Sequence, residues 1–219
     1  MDFIRLLSLP TASRHAVAFG AAAGALLALL APEAADMARQ WTFSSSYHHG
    51  WLAAPVALWL LLDARDWRSA PFRFDLAGAA IILAALALAL AGRAAGAAII
   101  GHAGLVAGIV GAGVLTLGRA YVRRSAFAFG FLIFMVPFGE SLIPALQGAA
   151  AVAVTGLLEV SGVETLREGV ILTTAAGRFE MAESCAGLRF LLAAAMIASL
   201  AAHLAFRDWR RQALFAAAA

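Results

Sequence analysis

The stretch Met181-Ala-Glu-Ser-Cys-Ala-Gly-Leu-Arg189 holds the side chains best suited to chemistry. Cys185 is the single cysteine of the chain, Glu183 stands two residues before it and Arg189 four after it. On a helix, positions four apart share one face and lie roughly 6 Å from each other. Thiol and guanidinium would then stand one above the other. An arginine beside a thiol favours the nucleophilic thiolate. Its donor fork can also hold a carboxylate or a developing oxyanion. The plainer alternative is a small buried cysteine with an arginine snorkelling to the surface. A lone cysteine makes no internal disulfide, so Cys185 is a free thiol or an intermolecular one.

The elements that must position these residues belong to a membrane protein. Of 219 residues, 63% are hydrophobic and only 13% charged, with a mean hydropathy of +0.87. A soluble domain is about half apolar and a quarter charged. The basic balance rests on sixteen arginines and no lysine. A nucleic-acid surface is excluded, because the arginines sit at the ends of apolar runs and form no continuous basic stripe. The first apolar run has no small-residue cleavage site ahead of a soluble domain, so it reads as a retained span.

A bilayer core of about 30 Å needs roughly 20 apolar residues per crossing. Six runs qualify: 15–32, 49–63, 75–92, 95–117, 125–143 and 184–206. The second starts at an aromatic boundary, Trp41 to Trp51, and carries Pro55 in its first turns. The fifth contains Pro137, where it kinks or ends. With a cytoplasmic N-terminus and strict alternation, eleven arginines fall inside (Arg5, Arg14, Arg65, Arg68, Arg73, Arg119, Arg123, Arg124, Arg207, Arg210 and Arg211). Four fall outside: Arg39, Arg93, Arg167 and Arg178. The bias agrees with the positive-inside rule and places Cys185 at the outer end of the last full span.

Residues 140–182 form the longest stretch between spans. Its first part, 144–160, is apolar but interrupted by Gln147 and Glu159 and reads as a helix at the outer interface. Residues 169–174 and 178–181, around Ala175-Ala-Gly177, read as a small extracytoplasmic β-hairpin leading to Cys185. Arg178 and Glu180 read as its surface charges. The fold class is an all-α polytopic membrane protein with about six transmembrane helices, the start of a seventh at Ala213, and that hairpin before the last full span. No metal or cofactor site is expected.

Glu183-Ser-Cys185-Ala-Gly187-Leu-Arg189 at the start of a membrane helix resembles the cysteine motif of the exosortase/archaeosortase family, with Ala186 in the place of a serine. The approach Gly169-Val-Ile-Leu…Gly177…Glu183 is similar to that family, as is Phe134-Met-Val-Pro137 with Leu146-Gln147. So is Tyr47-His-His49-Gly50-Trp-Leu52…Pro55…Leu58-Trp59. The resemblance runs from about residue 40 to 211 and implies one exosortase-like membrane domain over 1–219. It further implies a cysteine protease or transpeptidase in the inner membrane. Its substrates would be proteins with a tripartite C-terminal sorting signal: a Pro-Glu-Pro-type motif, a membrane helix and a basic tail. Cys185 would attack a peptide carbonyl, form an acyl-enzyme and pass the protein to an acceptor. Arg189 would hold thiolate or substrate, with Glu183, Gly187, His49 and Gly50 in support.

The family's arginine and histidine on helices beyond the cysteine helix have no counterpart in this sequence, so the chain is expected to lack those C-terminal helices. His203 is 18 residues beyond Cys185 on the expected helix, roughly 27 Å away at 1.5 Å per residue, and is no candidate base. His102 lies at a depth comparable to the cysteine, and an intramembrane ionisable group is a functional suspect by default. For His48 and His49, structural or substrate-positioning roles come first. The alternative function is a non-catalytic membrane protein that binds sorting-signal helices. A transporter finds no support in paired intramembrane acids or broken-helix repeats.

Overall fold

The computed structural model describes residues 11–63, 74–206 and 208–218. Arg5, Arg65, Arg68, Arg73 and Arg207, on which the expected orientation leans, lie outside these residues. The helices are α1 (Thr11–Leu29), α2 (Ala31–Phe43), α3 (Gly50–Asp63), α4 (Leu76–Ala94), α5 (Ala98–Leu117), α6 (Arg119–Arg124), α7 (Ala126–Phe131), α8 (Ile143–Val160), α9 (Leu188–Ala205) and α10 (Trp209–Ala218). Three strands, β1 (Thr165–Glu168), β2 (Ile171–Thr174) and β3 (Gly177–Glu180), stand between α8 and α9. The chain forms two compact units, residues 1–44 with 48–137 and residues 45–47 with 138–219.

In the first unit, glycine draws α4 and α5 together. A Cβ on Gly78 would lie 2.2 Å from the Leu115 backbone nitrogen, and one on Gly92 2.6 Å from that of Gly101. Where bilayer lipid removes the hydrophobic drive between helices, such close backbone packing holds them together. Helix α5 is the most enclosed of the four long apolar helices that stand as single spans. His15 Nδ1 meets the Thr116 carbonyl at 2.8 Å, tying α1 to the end of α5. Asp75 caps α4 by accepting from the Ala77 amide at 3.1 Å. That hydrogen bond, with Arg119 at 2.6 Å, holds its carboxyl below the usual carboxylate range.

Polar groups gather where α2 meets the α4–α5 turn. Arg93 donates through Nε and Nη2 to the two carboxylate oxygens of Glu33, which is buried. His102 Nε2 lies 3.0 Å from Asp36 Oδ2. These residues line a cavity of about 330 Å³ with Pro32 and Gly101. His102 is therefore an interior residue fixed by a carboxylate. The sequence gives a weak sign of this cluster, two acids one turn apart at Glu33 and Asp36 beside a span that ends in Arg93.

Among the described residues, four helical stretches are long and apolar enough to cross a membrane: 76–94, 98–117, 140–160 and 183–205. A fifth is α1 with α2 taken as one span, bent by 86° beside Pro32. The six expected spans differ from this in several places. The run 125–143 does not form one helix: α7 tightens into a 3₁₀ segment at Leu132–Met135. Val136 is then extended ahead of Pro137, and Gly139 turns with φ 101°, because the residue before a proline is driven out of the α region. The segment 144–160, expected as a helix at the outer interface, is a helix over Ile143–Val160. With 140–142 it is long and apolar enough to cross, its Gln147 and Glu159 falling near its two ends. The run 49–63 yields a shorter apolar helix over 50–62. The expected start of a seventh span lies in α10, of ten residues.

The second unit holds α8, the sheet and α9. The expected hairpin is a three-stranded antiparallel sheet of order β1-β2-β3. Sequence reasoning missed β1, where Thr165-Leu-Arg-Glu168 lacks the apolar alternation of a half-buried strand and is nearly all exposed. Register is set by Thr165↔Thr174 and Glu168↔Ile171 on one side and by Ile171↔Glu180 and Thr174↔Gly177 on the other. Leu172, its one buried residue, packs the sheet against α8.

Candidate functional site

The segment from β3 to α9 carries Glu183, Cys185, Gly187 and Arg189. Two hydrogen bonds hold its entry. The Met181 amide donates to the Val170 carbonyl at 2.9 Å, and the Met181 carbonyl accepts from Gln147 Nε2 at 3.0 Å. Gln147, a polar interruption in the sequence of α8, is thus a strut beneath the cysteine segment. Residues Glu183–Ala186 then form one 3₁₀ turn, and the Cys185 amide donates to the Ala182 carbonyl at 2.9 Å.

Cys185 is not on the long helix. Gly187 takes the left-handed conformation, φ 72° and ψ 7°, and the helix begins at Leu188. The four-residue spacing to Arg189 therefore spans a break, and the one-face geometry of a continuous helix does not apply. The cause is local, because only glycine enters that region without a Cβ penalty. Ala186 and Leu188 on either side are buried, and the Leu188 side chain meets the backbone at Gly139 so closely that a Cβ there would lie at 3.0 Å. These two apolar anchors leave Glu183, Ser184, Cys185 and Arg189 exposed.

Cys185 is a free and exposed thiol, which does not fit the reading of a small buried packing cysteine. Arg189 is the second residue of α9, where the helix dipole disfavours a cation. Its guanidinium carbon rests 4.8 Å from the ring centroid of Phe190. Arginine and the free amides of the first turn together make an anion-stabilising end to this helix. The same unit contains Tyr47, whose phenol is pushed up to about 12 by burial and by the charge of Glu140.

His49 and Gly50 belong to the first unit, at the start of α3. The His49 carbonyl accepts from Leu52 and Ala53, and its side chain is buried. A Cβ on Gly50 would fall 2.3 Å from Trp41 Nε1, so glycine here serves the indole. That indole donates to the Met135 carbonyl at 2.8 Å, and His48 Nδ1 meets the Trp41 carbonyl at 2.8 Å. Among the described residues, no group of three or more His, Cys, Asp or Glu side chains could hold a metal ion.

These features define a membrane-embedded helical protein that displays a reactive-type side chain on a turn ahead of a long apolar helix. The profile of the transmembrane exosortases (Exosortase_EpsH) matches residues 41–219, and the chain belongs to that family. No curated protein and no solved structure matches it.

Proposed function

We propose that the chain is a cysteine transpeptidase that removes a C-terminal sorting signal of the Pro-Glu-Pro type. Cys185 attacks the substrate carbonyl, the amine of the tail leaves with a proton, and the acyl-enzyme is resolved by an acceptor. Arg189 stabilises the thiolate or the oxyanion from the first turn of α9, and Glu183 and Gly187 shape the turn that presents the thiol. His49 and Gly50 act as structural support. The observation that carries the reading is the exposed Cys185 turn, inside the region that matches the family. The arginine distribution favours an inner-membrane protein with Cys185 at the outer face. A substrate helix in the same bilayer would raise the local concentration of its peptide at that depth.

A second reading is favoured by one observation. Neither Cys185 nor Glu183 has a side-chain hydrogen bond among the described residues, and an unassisted thiol is a weak catalyst. On that reading the chain binds sorting-signal helices without cleaving them. Co-expression of a substrate carrying the tripartite tail with wild-type and Cys185→Ser chains separates the two. Tail loss with the wild type alone supports the enzyme. Tail loss that persists with Cys185→Ser removes the nucleophile, and no loss with either chain supports the binding protein.

A further inference from the structure

The free edge of the sheet has a pattern of its own. The Met181 amide bonds to Val170, and Gly177 pairs with Thr174 across the two-residue turn. With side chains and backbone groups alternating every residue, Gly177, Phe179 and Met181 turn their amides and carbonyls towards β2. Arg178 and Glu180 therefore turn theirs outward. All four residues of β3 are exposed, and Arg178 makes no ion pair among the described residues. Leu172 and Phe179 share the face that borders α8, where a groove of about 440 Å³ is lined by Val154, Leu158, Leu172, Thr174, Phe179 and Met181.

An unpaired edge of this kind accepts an extended peptide. In an antiparallel addition, the residue opposite Arg178 exchanges both backbone hydrogen bonds with it, and its two neighbours turn their amides away. Only the middle residue needs an N–H, so proline is tolerated on both sides of it. The middle side chain falls on the same face as Arg178. Its neighbours fall on the Phe179 face, above the groove. Proline, acid, proline satisfies each position: no amide where none is used, a carboxylate beside an unpaired guanidinium, and two apolar rings against an apolar groove. From Glu180 the chain reaches Cys185 in five residues.

We propose that β3 is the docking strand for the sorting signal, added as a fourth strand with its acidic residue opposite Arg178. The proposal rests on the substrate class put forward above and makes Arg178 a specificity-determining residue of that recognition. The test measures fluorescence anisotropy of a labelled synthetic peptide, containing the Pro-Glu-Pro motif and its flanks, on the full chain in detergent micelles. Arg178→Glu should weaken binding tenfold or more, and a Pro-Arg-Pro peptide should restore it. Alanine in place of either proline should cost much less than N-methylation of the middle residue, which removes the one amide required. Equal binding by Arg178→Glu, failure of the swapped pair to recover, or indifference to N-methylation would each overturn the strand pairing, as would no binding by the wild type. Binding with these dependences but without tail removal in cells would leave the pairing intact and remove only the catalytic reading.

Discussion

In the first unit Glu33 meets Arg93, Asp36 meets Arg39 and His102, and Asp75 meets Arg119. In the second, Glu164, Glu168, Glu180 and Glu183 lie exposed alongside Arg167, Arg178 and Arg189, with no ion pair among the described residues. The first unit pairs these charges, with Glu33 and Arg93 joining separate helices and Asp75 and Arg119 meeting at a helix end. The second leaves charge outward, on a sheet and a turn whose backbone is already held by Leu172, Ala186, Leu188 and the Gln147 strut. Apart from Arg167, which donates to the Gly169 carbonyl in the β1–β2 turn, these are the charges that the proposed function would offer to a substrate.

The sharpest break of this contrast is at Cys185. Cys185→Ser should lower tail removal by about a thousandfold or more while leaving the thermal unfolding of the purified protein unchanged. In the first unit the opposite is expected. Gly78→Ala forces a Cβ against the Leu115 backbone and should destabilise by about 1–3 kcal/mol, visible as a lower melting temperature with activity per folded molecule preserved. Gly187→Ala lies between the two. Nothing lies within 4 Å of an added Cβ, so its cost is the left-handed backbone alone, about 1–2 kcal/mol, and tail removal should fall because the cysteine turn is displaced.

The smallest effect concerns Asp75. Its carboxyl is held below the ordinary range in the folded chain, so its contribution is present above the unfolded value and is lost as pH falls through the lowered one. Asp75→Asn keeps the cap and should flatten that part of the stability–pH curve, read from melting temperatures taken below neutral pH. A curve unchanged by Asp75→Asn would show that the carboxylate has no charge-dependent role at this helix end.

Much of this division can be read along the sequence, and the part that cannot has a physical reason. Apolar runs announced most helices of both units, and the residue types at Cys185 and Arg189 raised the expectation of chemistry there. Their geometry was hidden by Gly187, because spacing alone does not tell a continuous helix from one broken by a left-handed glycine. The run 125–143 is apolar throughout, yet Pro137 and Gly139 override its length. Strand β1 was hidden because short exposed strands carry little hydrophobic pattern. The pairings of Glu33 with Arg93 and Asp36 with His102 span 60 and 66 residues, and no local pattern reports contacts so distant. Arg178 shows the same limit from the other side. Its identity was plain, but its value depends on which way one backbone carbonyl points.

The glycine-laid contact between α4 and α5 also bears on the order of events during synthesis. Its two helices are joined by a three-residue turn, so it closes over a short loop, and short loops close at small entropic cost. Domains form in the order in which they emerge. The hairpin is therefore available as a settled pair of helices some seventy residues of translation, by sequence position, before Cys185 leaves the ribosome. Cys185 therefore emerges when the first unit already has this pair of helices as its framework.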